Sequence, residues 1–243
     1  SGKDITRLGS PRLFWGVTAG SVDSMVANYT ATGKRRKLDN YTPGGINNRR
    51  PDRAVIVYTN LIRRHLKGSS SPIVLGGIEA SLRRISHYDF KSDSIRGSIL
   101  FDSKADLLVY GMGEKSAVSL ARAMDAGAEY RDIRGICYIS REKPDDYIEL
   151  PSYEEVLNDR KKFIESFHLF YHNNDPVNAR GLVQKHQNRY LIQNPPSHIM
   201  SERELDRIYE LNFERDLHPL YKKNGHVRDL DTSRFSIPTH REC

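Results

Sequence analysis

Cysteine is scarce in this chain of 243 residues: there are two, Cys137 and Cys243. Two thiols far apart in sequence exclude a disulfide framework and make a reducing cytosol the default compartment. No apolar run approaches the roughly 18–20 residues that a membrane helix needs, so a membrane partner is not expected. Ser1-Gly2-Lys3-Asp4 is followed by no apolar stretch of the signal-peptide kind. Also missing are the GxGxxG dinucleotide fingerprint, a GxxxxGK phosphate loop and a GxSxG nucleophile elbow, so neither Ser86 nor His87 reads as part of a hydrolase. Internal repeats and low-complexity tracts are absent too. What remains is 37% hydrophobic and 28% charged, too apolar for a disordered chain and of a length for one large domain or two small ones.

Charge of one sign is in slight excess, with 38 Lys and Arg against 31 Asp and Glu, a net +7. The densest basic runs are Lys34-Arg35-Arg36-Lys37 and Arg49-Arg50, around a loop signal at Tyr41-Thr42-Pro43-Gly44-Gly45. The segment 34–50 is either a solvated loop or a contact for phosphate or nucleic acid.

Short apolar runs recur with glycine at their ends. Leu13–Ala19 ends at Gly20, Pro72–Leu75 at Gly76-Gly77, and Asp106–Tyr110 at Gly111-Met112-Gly113, while Gly135–Ile139 forms a fourth run. Helical patterns lie between them: Ser21 to Tyr29, Pro51 to Leu66, Ile78 onward, and Glu114 to Gly127 with Ala117, Leu120, Ala121 and Met124 on one face. Such alternation predicts parallel βαβ units. Past Pro144 the texture changes. Ser152 with Glu155 and Ser201 with Glu204 are capping-box patterns that open helices. The first of these is expected to run through residue 172 and to bury Val156, Phe163, Ile164, Phe167 and Tyr171. Leu182–His186 and Arg189–Gln193, with Gln187-Asn188 between, predict a hairpin. The tail from His218 to Asp231 reads as a polar loop, and Arg234–Ile237 as a new strand.

Glycine at a strand end lets a ligand approach the backbone, and ligands of open parallel sheets sit beyond the carboxyl ends of the strands. Gly76, Gly77, Gly111, Gly113 and Glu114 would share that edge; the alternative is that tight strand-to-helix turns need glycine anyway. His168 and His172, four apart near a helix end, could face one metal, but no Glu or Cys at zinc spacing accompanies them. Asp89, Asp93, Asp102 and Asp106 read as capping or solvated carboxylates. Cys137, inside an apolar strand, reads as a small buried hydrophobe.

Longer strings carry a resemblance. Phe14-Trp-Gly-Val-Thr-Ala-Gly20 with Asp23-Ser-Met25, Leu75-Gly-Gly-Ile-Glu-Ala-Ser-Leu-Arg-Arg84, His87-Tyr-Asp89, Lys104-Ala-Asp-Leu-Leu-Val-Tyr-Gly111, Val183-Gln-Lys-His186, Gln193-Asn-Pro-Pro196 and Leu205-Asp-Arg-Ile-Tyr-Glu-Leu211 together resemble the YgiQ-type family of radical-SAM proteins. The likeness extends from about Leu8 to Cys243. It implies an α/β fold in three parts: an incomplete Rossmann-like parallel sheet of the cobalamin-binding type (8–145), a mostly helical connecting region with a hairpin (146–232), and the stub of a radical-SAM barrel (233–243). On this resemblance the chain is the N-terminal portion of an enzyme of unknown substrate that recognises a substrate or cofactor, with Gly76, Gly77, Gly111, Gly113 and Glu114 toward the cofactor. The alternative is a nucleotide- or nucleic-acid-binding module using the loop 34–50. The Asp-x-His-x-x-Gly motif of cobalamin proteins is absent, which argues against cobalamin.

The resemblance also implies a [4Fe–4S] cluster held by three thiolates, whose open iron chelates S-adenosylmethionine for one-electron cleavage to a 5′-deoxyadenosyl radical. Cys243 matches the first cysteine of that set, with Glu242 where the family usually carries Gly. One matching cysteine would leave the 243-residue chain without a bound cluster and catalytically incompetent alone.

Overall fold

The computed structural model describes residues 2–66, 68 and 70–236. In chain order the helices are α1 (Gly2–Thr6), α2 (Ser24–Asn28), α3 (Ala54–His65), α4 (Gly77–Leu82), α5 (Ile99–Ser103), α6 (Glu114–Asp125), α7 (Tyr153–Asn158), α8 (Arg160–Tyr171), α9 (Glu202–Tyr209), α10 (Pro219–Lys222) and α11 (Leu230–Ser233). The strands are β1 (Trp15–Val17), β2 (Ile73–Leu75), β3 (His87–Asp89), β4 (Ser94–Arg96), β5 (Leu107–Val109), β6 (Ile136–Ser140), β7 (Ile148–Leu150), β8 (Leu182–His186) and β9 (Arg189–Gln193). The fold is α/β. It divides into two compact units: residues up to Ser21 with Ala54–Ile199, and Val22–Arg53 with the described residues from Met200 on.

The larger unit is built on a seven-stranded sheet of order β1-β2-β5-β6-β9-β8-β7; β3 and β4 form a separate antiparallel pair. β1, β2 and β5 are parallel. Their continuous apolar runs follow from cover on both faces. Leu75 and Leu108 pack with Val55 and Ile62 of α3 and with Leu100 of α5. Val74, Leu107 and Val109 pack with Leu120 of α6. Each such buried side chain contributes roughly 1.5–3 kcal/mol.

The expected all-parallel sheet is corrected here. β6 runs antiparallel to β5, with Leu108 opposite Cys137, and β9 is antiparallel to both β6 and β8. The segment after α6 returns the chain to the carboxyl end of β5, where the Gly135 carbonyl accepts from the Tyr110 N–H at 3.0 Å. β6 therefore enters the sheet from that edge and runs back. The hairpin of β8 and β9 has the predicted bounds, with Gln187 at φ +53° in its turn, and it forms part of the same sheet.

The long helix predicted from 153 breaks at Asp159, whose extended backbone closes α7 while its carboxylate accepts from Lys161 N–H to cap α8. Both capping boxes form as expected. Within α7 and α8, Val156 and Ser166 are buried, whereas Ile164, Phe167 and Tyr171 are exposed, against expectation. The inward face of α8 passes through Ser166 and Phe170 rather than Phe167. Val55-Ile56-Val57 lie in α3 despite their strand preference. Short helices α10 and α11 occupy the tail expected to be loop. The strand expected from Arg234 is not seen: Arg234 caps α11, and Ile237 lies outside the described residues.

In the smaller unit Lys34, Arg35, Arg36, Lys37 and Arg49 of the basic segment 34–50 are exposed, and a few of its residues are anchored to their neighbours. Arg36 Nε donates to the carbonyls of Val26 and Tyr29. Arg35 pairs with Asp52 at 3.6 Å, and Arg50 with Asp39 at 3.1 Å while lying over the Tyr41 ring. Burial would raise the Asp39 pKa. Hydrogen bonds from Thr42 and Tyr41 and the nearby Arg50 charge outweigh that and hold it below the usual range. Asn47 is buried and donates to the carbonyls of Asn28 and Arg36.

Candidate functional site

Because β1, β2 and β5 are adjacent and parallel, the turns that follow them lie at one edge. Gly76 N–H donates to the Val17 carbonyl at 2.9 Å, and Gly111 N–H to Ser81 Oγ of α4 at 3.2 Å. The predicted pairs Gly76-Gly77 and Gly111/Gly113 are thus brought together. The four glycines are not equivalent. Gly77 has φ +78°, and a Cβ there would meet Thr18 Oγ1 at 2.5 Å; a Cβ at Gly113 would meet Val109 Cγ1 at 2.7 Å. These two are glycine because neighbouring side chains fill the space. Gly76 and Gly111 have nothing closer than 3.9 Å at the corresponding point. Gly113 starts α6 without a side-chain cap, and Glu114 occupies its first turn.

Beneath this edge lies a node that the residue pattern did not single out. The Arg84 guanidinium sits between the rings of Tyr110 and Phe170, 4.5 and 4.4 Å from their centroids. It donates to Gln193 Oε1 at 3.0 Å, the Ser81 carbonyl at 2.6 Å and Asn174 Oδ1 at 3.0 Å. Arg84 thereby joins α4, the end of β5, the end of α8 and β9. A planar cation stacked on both faces and held at its edges is a positioning device. Cys137 lies nearby, fully buried; burial pushes its thiol up to about 12, with the Arg84 charge opposing. It is a protonated thiol at neutral pH and not a metal-ligating thiolate.

Other predicted groups take structural places. Asp89 accepts from the N–H groups of Lys91 and Ser92, Asp106 from Ile73 N–H, and Asp102 pairs with Arg96. His168 and His172 stand edge to face with centroids 6.3 Å apart. Among the described residues no group of three His, Cys, Asp or Glu could hold a metal. These residues therefore do not fit an iron–sulfur cluster. Cys243 lies outside the described residues.

A cleft of about 500 Å³ opens at the opposite edge, between the amino end of β5 and the carboxyl end of β6, lined by Leu107, Tyr138, Ser140 and Arg141 among others. Neither of the ligand places expected from the sequence, the glycine edge and the segment 34–50, includes this cleft. Its basic residues are scattered over Lys104, Arg131, Arg141 and Arg189, and only the antiparallel return of β6 and β9 assembles them.

The family model described as "Radical SAM N-terminal" matches residues 1–236. A UPF0313 protein of Fusobacterium nucleatum is 58% identical over 240 residues, covering 99% of this chain and 42% of that protein. A UPF0313 protein of Thermotoga maritima is 53% identical over 244 residues (99% and 43%), and one of Clostridium botulinum 45% identical over 246 residues (99% and 38%). The chain spans about two fifths of the length of these relatives. No solved structure matches it.

Proposed function

The chain belongs to the radical-SAM N-terminal family, and we propose that it is the substrate- or cofactor-recognising part of a radical-SAM enzyme. The family match across residues 1–236 carries this reading. The cluster chemistry is assigned to the protein in its longer form, with Cys243 as the first thiolate of the set. A [4Fe–4S] cluster supplies the electron for reductive cleavage of S-adenosylmethionine. What the described residues contribute is recognition: a rigid sheet, an Arg84 node that fixes its loops, and two accessible edges. The parallel strands β1, β2 and β5 with their glycine turns form a Rossmann-like half-sheet. On this reading Gly76, Gly111 and the first turn of α6 at Glu114 face a cofactor, while Gly77 and Gly113 shape the turns. The antiparallel β6 and the missing Asp-x-His-x-x-Gly motif favour a cofactor other than cobalamin. In the segment 34–50, Arg35 and Arg50 are already paired with Asp52 and Asp39, and the family match gives no support to a nucleic-acid module.

Anaerobic iron–sulfide reconstitution of the longer protein tests the reading. About four irons per chain and formation of 5′-deoxyadenosine are expected, both lost in Cys243→Ala, whereas the 243-residue chain retains no stable cluster. Absence of iron and of S-adenosylmethionine cleavage in the longer protein would overturn it.

A further inference from the structure

The cleft at the amino edge of β5 holds an unbalanced set of charges. Lys104, Arg131, Arg141 and Arg189 line it against a single carboxylate, Asp106. That carboxylate is already engaged, accepting from Ile73 N–H at 2.8 Å and lying 3.5 Å from Arg63. None of the four cations forms an ion pair with a carboxylate among the described residues. All four are solvent-exposed, and like charges gathered round one cleft give it a positive field that draws anions in.

Two of the arginines are also oriented. Arg189 lies over the Phe101 ring at 5.0 Å from its centroid, and Phe101 is itself backed by His186, stacked at 4.3 Å. Arg131 lies over Tyr138 at 6.0 Å. A guanidinium held by its face keeps its N–H edge available, and that edge matches the oxygens of a phosphate in bidentate fashion. The volume, about 500 Å³, is far more than a bare phosphate needs and lies within the range of small-molecule sites.

We propose that this cleft binds a small phosphate ester, with the phosphate on Arg131, Arg141 and Arg189 and the organic part against Tyr130, Tyr138 and Leu107. The inference rests on the recognition role proposed above for its purpose, but its test needs no cluster, so either reading can fail while the other stands.

Equilibrium titration of the 243-residue chain at low salt, with AMP, ribose 5-phosphate, pyrophosphate and adenosine as probes, decides it. AMP and ribose 5-phosphate should bind one per chain, with adenosine at least about tenfold weaker. Arg131→Gln with Arg189→Gln should weaken AMP by about tenfold or more. Arg141→Gln changes one exposed side chain after β6 and should weaken it severalfold with an unchanged circular dichroism spectrum, which keeps the test valid if the double variant fails to fold. Arg35→Gln with Lys37→Gln, in the other basic segment, should leave binding unaltered. Pyrophosphate separates the sources of affinity: weaker binding than AMP assigns a share to the organic part, and equal binding removes that part from the proposal. No saturable binding, equal binding of adenosine, or equal losses from the Arg35/Lys37 pair would overturn the proposal.

Discussion

The two halves of the large sheet are built on different principles. β1, β2 and β5 are three-residue apolar strands, parallel, covered on both faces, and turned by glycine. β6, β9 and β8 are five-residue strands, paired antiparallel in that order with β7 parallel to β8 at the edge, and this half buries polar side chains: Gln184 and Gln193 are 1% exposed, and Asn194, just after β9, 0%. In the first half hydrophobic burial suffices. In the second, buried amides fasten loops to the sheet. Asn194 donates to the carbonyls of Arg131 and Ile133 and accepts from Tyr147. Gln184 accepts from Ser86 N–H and donates to Ser86 Oγ and the Pro151 carbonyl. The parallel half is therefore tolerant of apolar exchange, and the other half depends on specific partners.

Asn194→Leu breaks that comparison most severely. It keeps the volume roughly constant but strips partners from two carbonyls and a hydroxyl that are part-buried. At about 0.5–1.5 kcal/mol for each hydrogen bond lost where water can reach the partner, a loss on the order of 2–4 kcal/mol is expected. Urea denaturation should show the midpoint falling with the slope unchanged. A loss below about 1 kcal/mol would mean that the amide network is incidental.

The next effect is a pH dependence centred on the antiparallel half. His186 ends β8, stacked between Phe101 and Tyr153, with Nε2 buried and without a hydrogen-bond partner among the described residues. Burial lowers its pKa to about 4, with Glu154 and Asp102 acting against that and Arg189 reinforcing it. The folded state thus prefers the neutral ring, whereas the unfolded chain takes up a proton near pH 6.5. The stability linked to this ring is intact above about pH 6.5 and is lost as the pH falls toward 4, by at most about 3 kcal/mol. His186→Phe keeps the stack and should flatten most of the slope of unfolding free energy between pH 6.5 and 4. The remainder is shared by His87, whose pKa burial also lowers, and by carboxylates held below their usual range, such as Glu155 and Glu129. An unchanged slope in His186→Phe would show that the ring is solvated.

Legibility in the sequence follows the same division. The parallel strands were readable because double-sided burial leaves an unbroken apolar run and the turns need glycine. The hairpin at 182–193 was readable from its period and its Gln187-Asn188 turn. The direction of β6 was not, because a helix between two strands looks the same whether the chain then crosses over or doubles back, and the Gly135–Tyr110 contact that settles it joins residues distant in sequence. The Arg84 node and the basic cleft were hidden for the same reason: their members come from four or more elements. α8 misled for a different reason. Phe163, Phe167, Phe170 and Tyr171 offer two overlapping apolar faces, and only docking selects one.

The glycine edge supplies the smallest and sharpest contrast, within the parallel half itself. Gly77 and Gly111 both sit at positive φ, +78° and +66°. A left-handed conformation costs an alanine about 1 kcal/mol. At Gly111 nothing lies within 4 Å of the added methyl, so Gly111→Ala should cost about that much. At Gly77 the methyl also meets Thr18 Oγ1, and relieving the clash turns that oxygen away from Gly20 N–H, its partner at 3.2 Å. Gly77→Ala should therefore cost about 2–3 kcal/mol. A double-mutant cycle separates conformation from crowding. In a Thr18→Ala background the cost of Gly77→Ala should fall to that of Gly111→Ala. If it does not fall, packing is not why residue 77 is glycine. If Gly111→Ala proves as costly as Gly77→Ala, the space beside Gly111 is filled, and the glycine edge loses its standing as a place where a cofactor can approach the backbone.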